Sequence, residues 1–196
     1  MTATAMTIPL FSAGTLVFVG VPTLTGLVSG SFMLIAIGLA VAVCLAFNSA
    51  IKTYVFRPLY RRWPDIERFI GPGERPTNEG AMCGSGVLPE TIENIVAPSP
   101  CQAFGMPSGH AQAAGCFIVL IGCLTNTESK GKAVVIVLAL YALLVALSRT
   151  TALPKCFAGH GCHTANQVLV GLVLGILFGF LSVPALKSLE KRRQVQ

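Results

Sequence analysis

Charged residues are scarce in this sequence. Of its 196 residues only 11% are charged, eight of them Asp or Glu, while 53% are hydrophobic. A soluble domain carries about 25% charged residues, so the composition excludes an ordinary soluble domain of this length. It predicts instead one membrane domain that spans residues 1–196.

The apolar residues form blocks rather than a periodic pattern, and about 20 apolar residues can cross a bilayer. The predicted fold class is all-α, a multi-pass transmembrane bundle of about five helices with a long loop from about Ile51 to Gly109. The five blocks are Ile8–Leu27, Phe32–Ala50, Ala111–Thr125, Ala133–Leu147 and Val168–Val183. The first block lacks a basic segment and a small-residue cleavage site, which favours a retained helix over a cleaved signal peptide.

Two patterns predict which side of the membrane each loop occupies. With five helices, the long loop and the Ser148–Asn166 loop share one side. The basic tail, residues 187–196, and the Asn126–Lys132 turn share the other side, and basic residues near helix ends favour the cytoplasm. Three of the seven cysteines lie in apolar blocks, whereas the other four lie in the two loops that share a side: Cys83, Cys101, Cys156 and Cys162. Disulfides in an oxidising compartment fit that distribution, so this face is predicted to be lumenal or extracellular.

Histidine is also rare, and no histidine lies within an apolar block. The three are His110, His160 and His163. Pro107 suits the first turn of a helix, and Ser108 and Gly109 would offer free backbone N–H groups at its start. Such a helix start binds anions, and His110 follows directly. The alternative interpretation is a helix cap with a histidine at the membrane interface.

Two further segments carry side chains suited to phosphate chemistry. Arg149 ends the fourth block, and a guanidinium can bind phosphate oxygens in a bidentate manner, although it can also simply extend to the membrane surface. His163 and Gln167 are four residues apart at a helix start, so they share a face. The Gln167 carbonyl can accept a hydrogen bond from Nδ1 of His163 and direct Nε2 at a substrate.

These segments resemble a known family. Pro107-Ser-Gly-His110, Ser148-Arg149 and His163 resemble the second and third signature motifs of the type-2 phosphatidic-acid-phosphatase superfamily of integral membrane phosphatases. Gly105–Gln112 and His163–Gly171 look most like its dolichyl-diphosphatase branch, which also has Gln where most of the superfamily has Asp. The resemblance covers about residues 48–171.

The first family motif, a Lys followed after six residues by Arg-Pro, is matched imperfectly. Lys52 precedes an Arg-Pro pair at Arg57 that is two residues too close. Arg68 precedes another at Arg75 with the right spacing but replaces Lys. Related sequences continue into Gly-Ala and Cys, as Gly80–Cys83 does here, which favours Arg75 over Arg57. The basic companion is either Lys52 or Arg68.

The third motif also departs from the family pattern. The family places its nucleophilic His six residues after the Arg of Ser-Arg, whereas His163 follows Arg149 by fourteen. A bulging loop would leave both ends in place. His160 is the rival nucleophile, but Thr164 then stands where Gln167 is required. Cys156, His160, Cys162 and His163 are zinc-type ligands, yet one short loop would be strained around a tetrahedral ion, so no metal and no cofactor are predicted.

The resemblance implies a mechanism. His163 would attack the terminal phosphorus to form a phosphohistidine, with Gln167 orienting it. His110 would protonate the leaving group and then activate water. The phosphate oxygens would be held by the remaining site residues: Arg149, Arg75, Lys52 or Arg68, Ser108 and Gly109.

The predicted function is therefore metal-independent removal of a terminal phosphate from a membrane lipid. An isoprenoid diphosphate such as dolichyl diphosphate is the first candidate, and phosphatidic acid is the alternative. A small transporter would require charge inside the helices, which the blocks lack, and an inactive scaffold is the other rival. The predicted partners are the lipid substrate and the bilayer, with no nucleic acid and with homo-oligomers left open. The predicted location is the endoplasmic reticulum or a related membrane.

Overall fold

The computed structural model describes residues 14–74, 104–124, 129–148, 150 and 163–195. Within these ranges the chain is helical, with two isolated bridges and no strand. The helices are α1 (Gly14–Ser29), α2 (Phe32–Ile51), α3 (Arg57–Arg62), α4 (Glu67–Ile70), α5 (Gly109–Leu124), α6 (Ser129–Ser148) and α7 (Ala165–Val195). A π-helical turn, Lys52–Phe56, joins α2 to α3, and a 3-10 turn, Pro64–Ile66, precedes α4.

Each of the five predicted apolar blocks overlaps a helix. Two continuous helices, Phe32–Arg62 and Ala165–Val195, are long and apolar enough to cross a membrane. The other three apolar helices are shorter, so the number of crossings stays a prediction. Large apolar side chains such as Leu24, Leu140 and Leu177 are exposed on the outer helix faces. Because a soluble protein avoids large exposed apolar patches, this surface is consistent with a lipid environment.

The prediction that the long loop begins near Ile51 was wrong. The Arg57 N–H donates to the Lys52 carbonyl, five residues earlier, and the helix continues to Arg62. A proline ring inside an α-helix clashes with the carbonyl four residues before it. The wider π turn lies directly before Pro58 and relieves that clash. The loop therefore starts only after α4.

Helix α5 lies at the centre of the bundle and packs against α2, α6 and α7. The closest contact is with α7, where three glycines four residues apart face the α5 backbone. A Cβ atom would meet the Ser108 carbonyl at Gly171, the Gln112 carbonyl at Gly175 and the Cys116 carbonyl at Gly179. The Gly-x3-Gly-x3-Gly spacing of Gly171, Gly175 and Gly179 in the sequence is typical of closely packed helices, and the structure shows that packing here.

The two ends of the bundle differ in character. At one end the Arg193 guanidinium lies 5.4 Å from the ring centroid of Phe32, so the basic C-terminal segment adjoins the short turn between α1 and α2. The other end holds the starts of α5 and α7. A small second core of Tyr60, Phe104 and Met106 supports that end.

Candidate active site

The described ends of the long loop are Glu74 and Phe104. Glu74 and Phe104 form an isolated antiparallel bridge, and the Gly105 N–H donates to the Gly73 carbonyl at 2.8 Å. The ends of the loop are therefore adjacent. The proposed phosphate ligand Arg75, together with Cys83 and Cys101, lies outside the described residues.

The ends of the second loop are also adjacent. Thr150 and His163 form a parallel bridge, and the Thr150 N–H donates to the Leu147 carbonyl at 3.0 Å. This bridge places Thr150 beside His163, and the predicted bulge itself falls on residues 151–162, outside the described residues. Arg149 lies outside the described residues. So do three residues of the rival nucleophile and zinc interpretations: Cys156, His160 and Cys162.

His163 and Gln167 form the contact that their spacing predicts. His163 is 2% exposed, and its Nδ1 lies 3.1 Å from Oε1 of Gln167. The Nε2 amide of Gln167 donates to the Pro72 carbonyl at 2.8 Å and to the Glu74 carbonyl at 2.7 Å. Because carbonyls only accept, these bonds fix which end of the amide is the oxygen. Oε1 must then accept from Nδ1–H, so a neutral imidazole carries its lone pair on Nε2.

Thr164 and Gln167 also cap the start of α7. The Gln167 N–H donates to Thr164 Oγ1 at 3.3 Å, and the Thr164 N–H donates to Gln167 Oε1 at 3.2 Å. This reciprocal pair is a capping box, whose sequence signature is Ser or Thr followed three residues later by Glu or Gln. The sequence interpretation missed it, although Thr164-Ala-Asn-Gln167 carries that signature.

The start of α5 lies directly against the start of α7. The Ser108 N–H donates to the Gln167 carbonyl at 3.0 Å, so the expectation of a free N–H on Ser108 was wrong. Its hydroxyl, in contrast, is buried and has no partner within the described parts of the chain. Gly109 is the first residue of α5, and His110, 5% exposed, lies in its first turn. The positive end of the α5 dipole therefore lies beside the first turn of α7.

Two buried amides support this turn and were not recognised from the sequence. Asn48 Nδ2 donates to Gln112 Oε1 at 2.7 Å, and Gln112 Nε2 donates to the Cys44 carbonyl at 3.3 Å. Asn48 also approaches the Pro107 carbonyl at 3.5 Å. Both amides lie inside apolar blocks of the sequence. A polar side chain in such a block predicts a buried hydrogen-bond partner, because burial without a hydrogen bond is costly.

The basic residues of the first motif fall into two groups. Arg68 is exposed and pairs with Asp65 at 3.5 Å. Lys52 and Arg57 are half-buried, and the Arg57 guanidinium lies 5.7 Å from the ring centroid of Phe104.

The π turn explains why Lys52 and Arg57 share a face. Its hydrogen bond joins residues five apart, which places Arg57 one turn after Lys52. Asn48 lies one turn before Lys52 and reaches Pro107. The face formed by Asn48, Lys52 and Arg57 thus lies along the segment from Phe104 to Pro107, next to the start of α5.

Two buried histidines lie at adjoining helix starts: His110 in the first turn of α5 and His163 two residues before α7. The sequence model of the PAP2 superfamily matches residues 32–190, which include every described site residue. The chain belongs to the PAP2 superfamily, and membership implies a phosphatase that acts on phosphate esters. No curated protein and no solved structure matches the chain.

Proposed function

We propose that this protein hydrolyses the terminal phosphate of a membrane lipid phosphate or diphosphate through a phosphohistidine on His163. The observation that carries the proposal is the bond from the Ser108 N–H to the Gln167 carbonyl, at 3.0 Å. It joins the start of α5, whose first turn holds His110, to the start of α7, which His163 precedes by two residues. This junction supports the proposal because both histidines are carried by the two helix starts that meet.

The reaction divides into two steps. Nε2 of His163 attacks phosphorus, the bond from phosphorus to the leaving oxygen breaks, and His110 gives that oxygen a proton. His110 then takes a proton from water, which attacks the phosphohistidine and releases inorganic phosphate. Acid and base catalysis by one imidazole suits both steps.

The start of α5 offers the binding groups for the phosphate oxygens. The buried hydroxyl of Ser108 has no partner in the described residues, and a buried polar group without a hydrogen bond costs about 1–3 kcal/mol. A bound phosphate would supply that partner. Gly109 adds a backbone N–H at the positive end of the helix, and α5 is long enough, at 16 residues, to carry a substantial dipole.

For the cationic groups we propose Lys52 rather than Arg68, because Lys52 shares the face that borders the α5 start while Arg68 is exposed and paired with Asp65. Arg75 follows Glu74, whose carbonyl binds Gln167, and Arg149 precedes Thr150, which bridges to His163. In the sequence, each arginine is therefore next to a residue whose backbone contacts Gln167 or His163. This proximity supports both as phosphate ligands.

Charge-removing variants distinguish the two candidate companions. Lys52→Gln is expected to lower kcat/KM by about a hundredfold, the typical loss of one oxyanion donor. Arg68→Gln removes only an exposed ion pair and is expected to change kcat/KM by less than about twofold. Both variants lose one positive charge, so each is the control of the other in an assay of phosphate release. The reverse order of effects would assign the role to Arg68.

An isoprenoid diphosphate is the proposed substrate class, and this rests on the resemblance of Gly105–Gln112 and His163–Gly171 to the dolichyl-diphosphatase branch. The lipid chain would lie along the exposed apolar helix faces while its phosphates reach the helix starts. We also propose that this end of the bundle faces the lumen of the endoplasmic reticulum or a related compartment.

The test uses the full chain purified in detergent with EDTA. Inorganic phosphate release is measured from dolichyl diphosphate, farnesyl diphosphate and phosphatidic acid. We expect release without added metal, with the highest kcat/KM for the isoprenoid diphosphates. A preference for phosphatidic acid would support the monophosphate alternative. Activity that EDTA abolishes and zinc restores would contradict the metal-independent mechanism, and no release from any of the three would favour a scaffold.

A further inference from the structure

The side-chain amide of Gln167 uses its full hydrogen-bonding capacity. An amide has two acceptor lone pairs and two donor hydrogens. Oε1 accepts from His163 Nδ1 at 3.1 Å and from the Thr164 N–H at 3.2 Å. Nε2 donates to the Pro72 and Glu74 carbonyls at 2.8 and 2.7 Å, with the Gly73 carbonyl further away at 3.4 Å. Gln167 is 0% exposed, so water does not replace these partners.

Only half of this network is required to orient His163. The acceptor half fixes the tautomer, and a carboxylate would perform that task equally well. The donor half contacts the backbone of Pro72–Glu74, which is more than 90 residues away in sequence. A carboxylate could not make these two bonds, because it has no hydrogen to donate and would face two carbonyl oxygens.

The segment Pro72–Glu74 is held on its other sides as well. Tyr60 donates to the Gly71 carbonyl at 2.7 Å, and the Gly73 N–H donates to a Glu67 carboxylate oxygen at 3.4 Å. Gly71 has φ +86°, and a Cβ there would collide with Asn166 of α7. Arg75 follows directly after Glu74, the last residue of this segment. The position of the chain that enters Arg75 thus depends on α3, α4 and α7.

We propose that Gln167 is a two-sided positioning residue: Oε1 orients His163, while Nε2 fixes the Pro72–Glu74 backbone in register with it. The inference rests on the proposed function in so far as His163 reacts with phosphate. Orientation of His163 explains the acceptor half of the amide but not the donor half. Under the proposal, the donor half holds the Pro72–Glu74 backbone. A neutral amide is then required at this position, because any substitute must accept on one side and donate on the other.

The substitution Gln167→Glu isolates the donor half. Glu also serves in a capping box and keeps an acceptor for His163, so only the donating group is exchanged for oxygen. When protonated, the introduced carboxyl still donates one hydrogen bond to Pro72 or Glu74. When ionised, it repels both carbonyls. Burial raises the pKa of such a carboxyl above its ordinary value. The carboxyl therefore ionises within the pH range in which activity can be assayed.

The expected result is a pH-dependent defect. The ratio of kcat/KM of Gln167→Glu to that of the unmodified protein should fall at least about tenfold between about pH 5 and about pH 8, as the carboxyl ionises. The titratable groups on the elements packed around residue 167 occur in both proteins, so their own titration cancels in the ratio: His163, His110, Tyr60, Glu67 and Glu74. An ionised carboxylate also favours the protonated imidazole of His163, and the exchange measurement, which does not depend on activity, separates this effect. A ratio that stays constant or rises with pH would overturn the inference, because then an acceptor alone suffices.

A second measurement does not depend on activity. Amide hydrogen exchange of a peptide that contains Gly73 and Glu74 should be faster in Gln167→Glu than in the unmodified protein at about pH 8, and nearly equal at about pH 5. Equal exchange at both pH values would also overturn the inference, even for a protein that releases no phosphate. The matched control is Gln194→Glu, the same exchange at an exposed position of α7, which should alter neither the ratio nor the exchange.

Discussion

Replacement of His163 by Ala is expected to lower phosphate release by about four orders of magnitude or more, the usual loss when a nucleophile is removed. The imidazole is buried at the start of α7, with Nδ1 against Gln167, and no other described histidine occupies that position. The measurement is release of inorganic phosphate in EDTA, together with the thermal midpoint in detergent. If the variant melts at nearly the same temperature as the unmodified protein and keeps its activity, His163 is not the nucleophile.

His110→Asn separates the two steps of the same reaction. With a good leaving group, such as a nitrophenyl phosphate, attack by His163 needs little help from an acid, whereas hydrolysis of the phosphohistidine still needs a base. Turnover should fall by about 10²–10⁴-fold, and phosphate should accumulate on His163, where mass spectrometry under alkaline conditions detects it. Unchanged turnover would contradict the assignment. The double variant with His163→Ala should carry no phosphate.

The parts of the site that the sequence predicts are those set by local geometry. His163 and Gln167 lie one helical turn apart, so their contact follows from the periodicity of a helix. The helix start after Pro107 was also predicted, although Pro107 lies two residues before Gly109, the first residue of α5, and not in the first turn as expected. The glycine pattern of α7 predicts a close helix contact because only a missing side chain allows backbones to approach.

Other features depend on tertiary contacts that spacing does not reveal. The pairing of Asn48 with Gln112 joins two helices more than 60 residues apart in sequence. The Ser108 N–H was expected to be free, yet it meets the Gln167 carbonyl because α5 and α7 start side by side. Arg57 follows Lys52 two residues sooner than the family motif requires. A π turn aligns residues five apart, so the shorter spacing still places both on one face.

The close packing of α5 and α7 makes a prediction about stability. A Cβ atom at Gly175 would collide with the Gln112 carbonyl oxygen and lie 2.8 Å from its carbon and 2.9 Å from the Cys116 nitrogen. Backbone atoms cannot rotate away as a side chain would, so the two helices must separate.

We expect Gly175→Ala to destabilise the protein by about 1–3 kcal/mol, the usual cost of overpacking, and to lower its thermal midpoint in detergent. Separation would also pull the start of α5 from Gln167, which lies two turns before Gly175 on α7, so kcat/KM should fall as well. The control is Gly122→Ala on α5, where nothing lies within 4 Å of the added atom. That change should be neutral or stabilise the helix by about 0.5–1 kcal/mol. If both variants melt at the same temperature, close backbone contact does not hold α5 against α7.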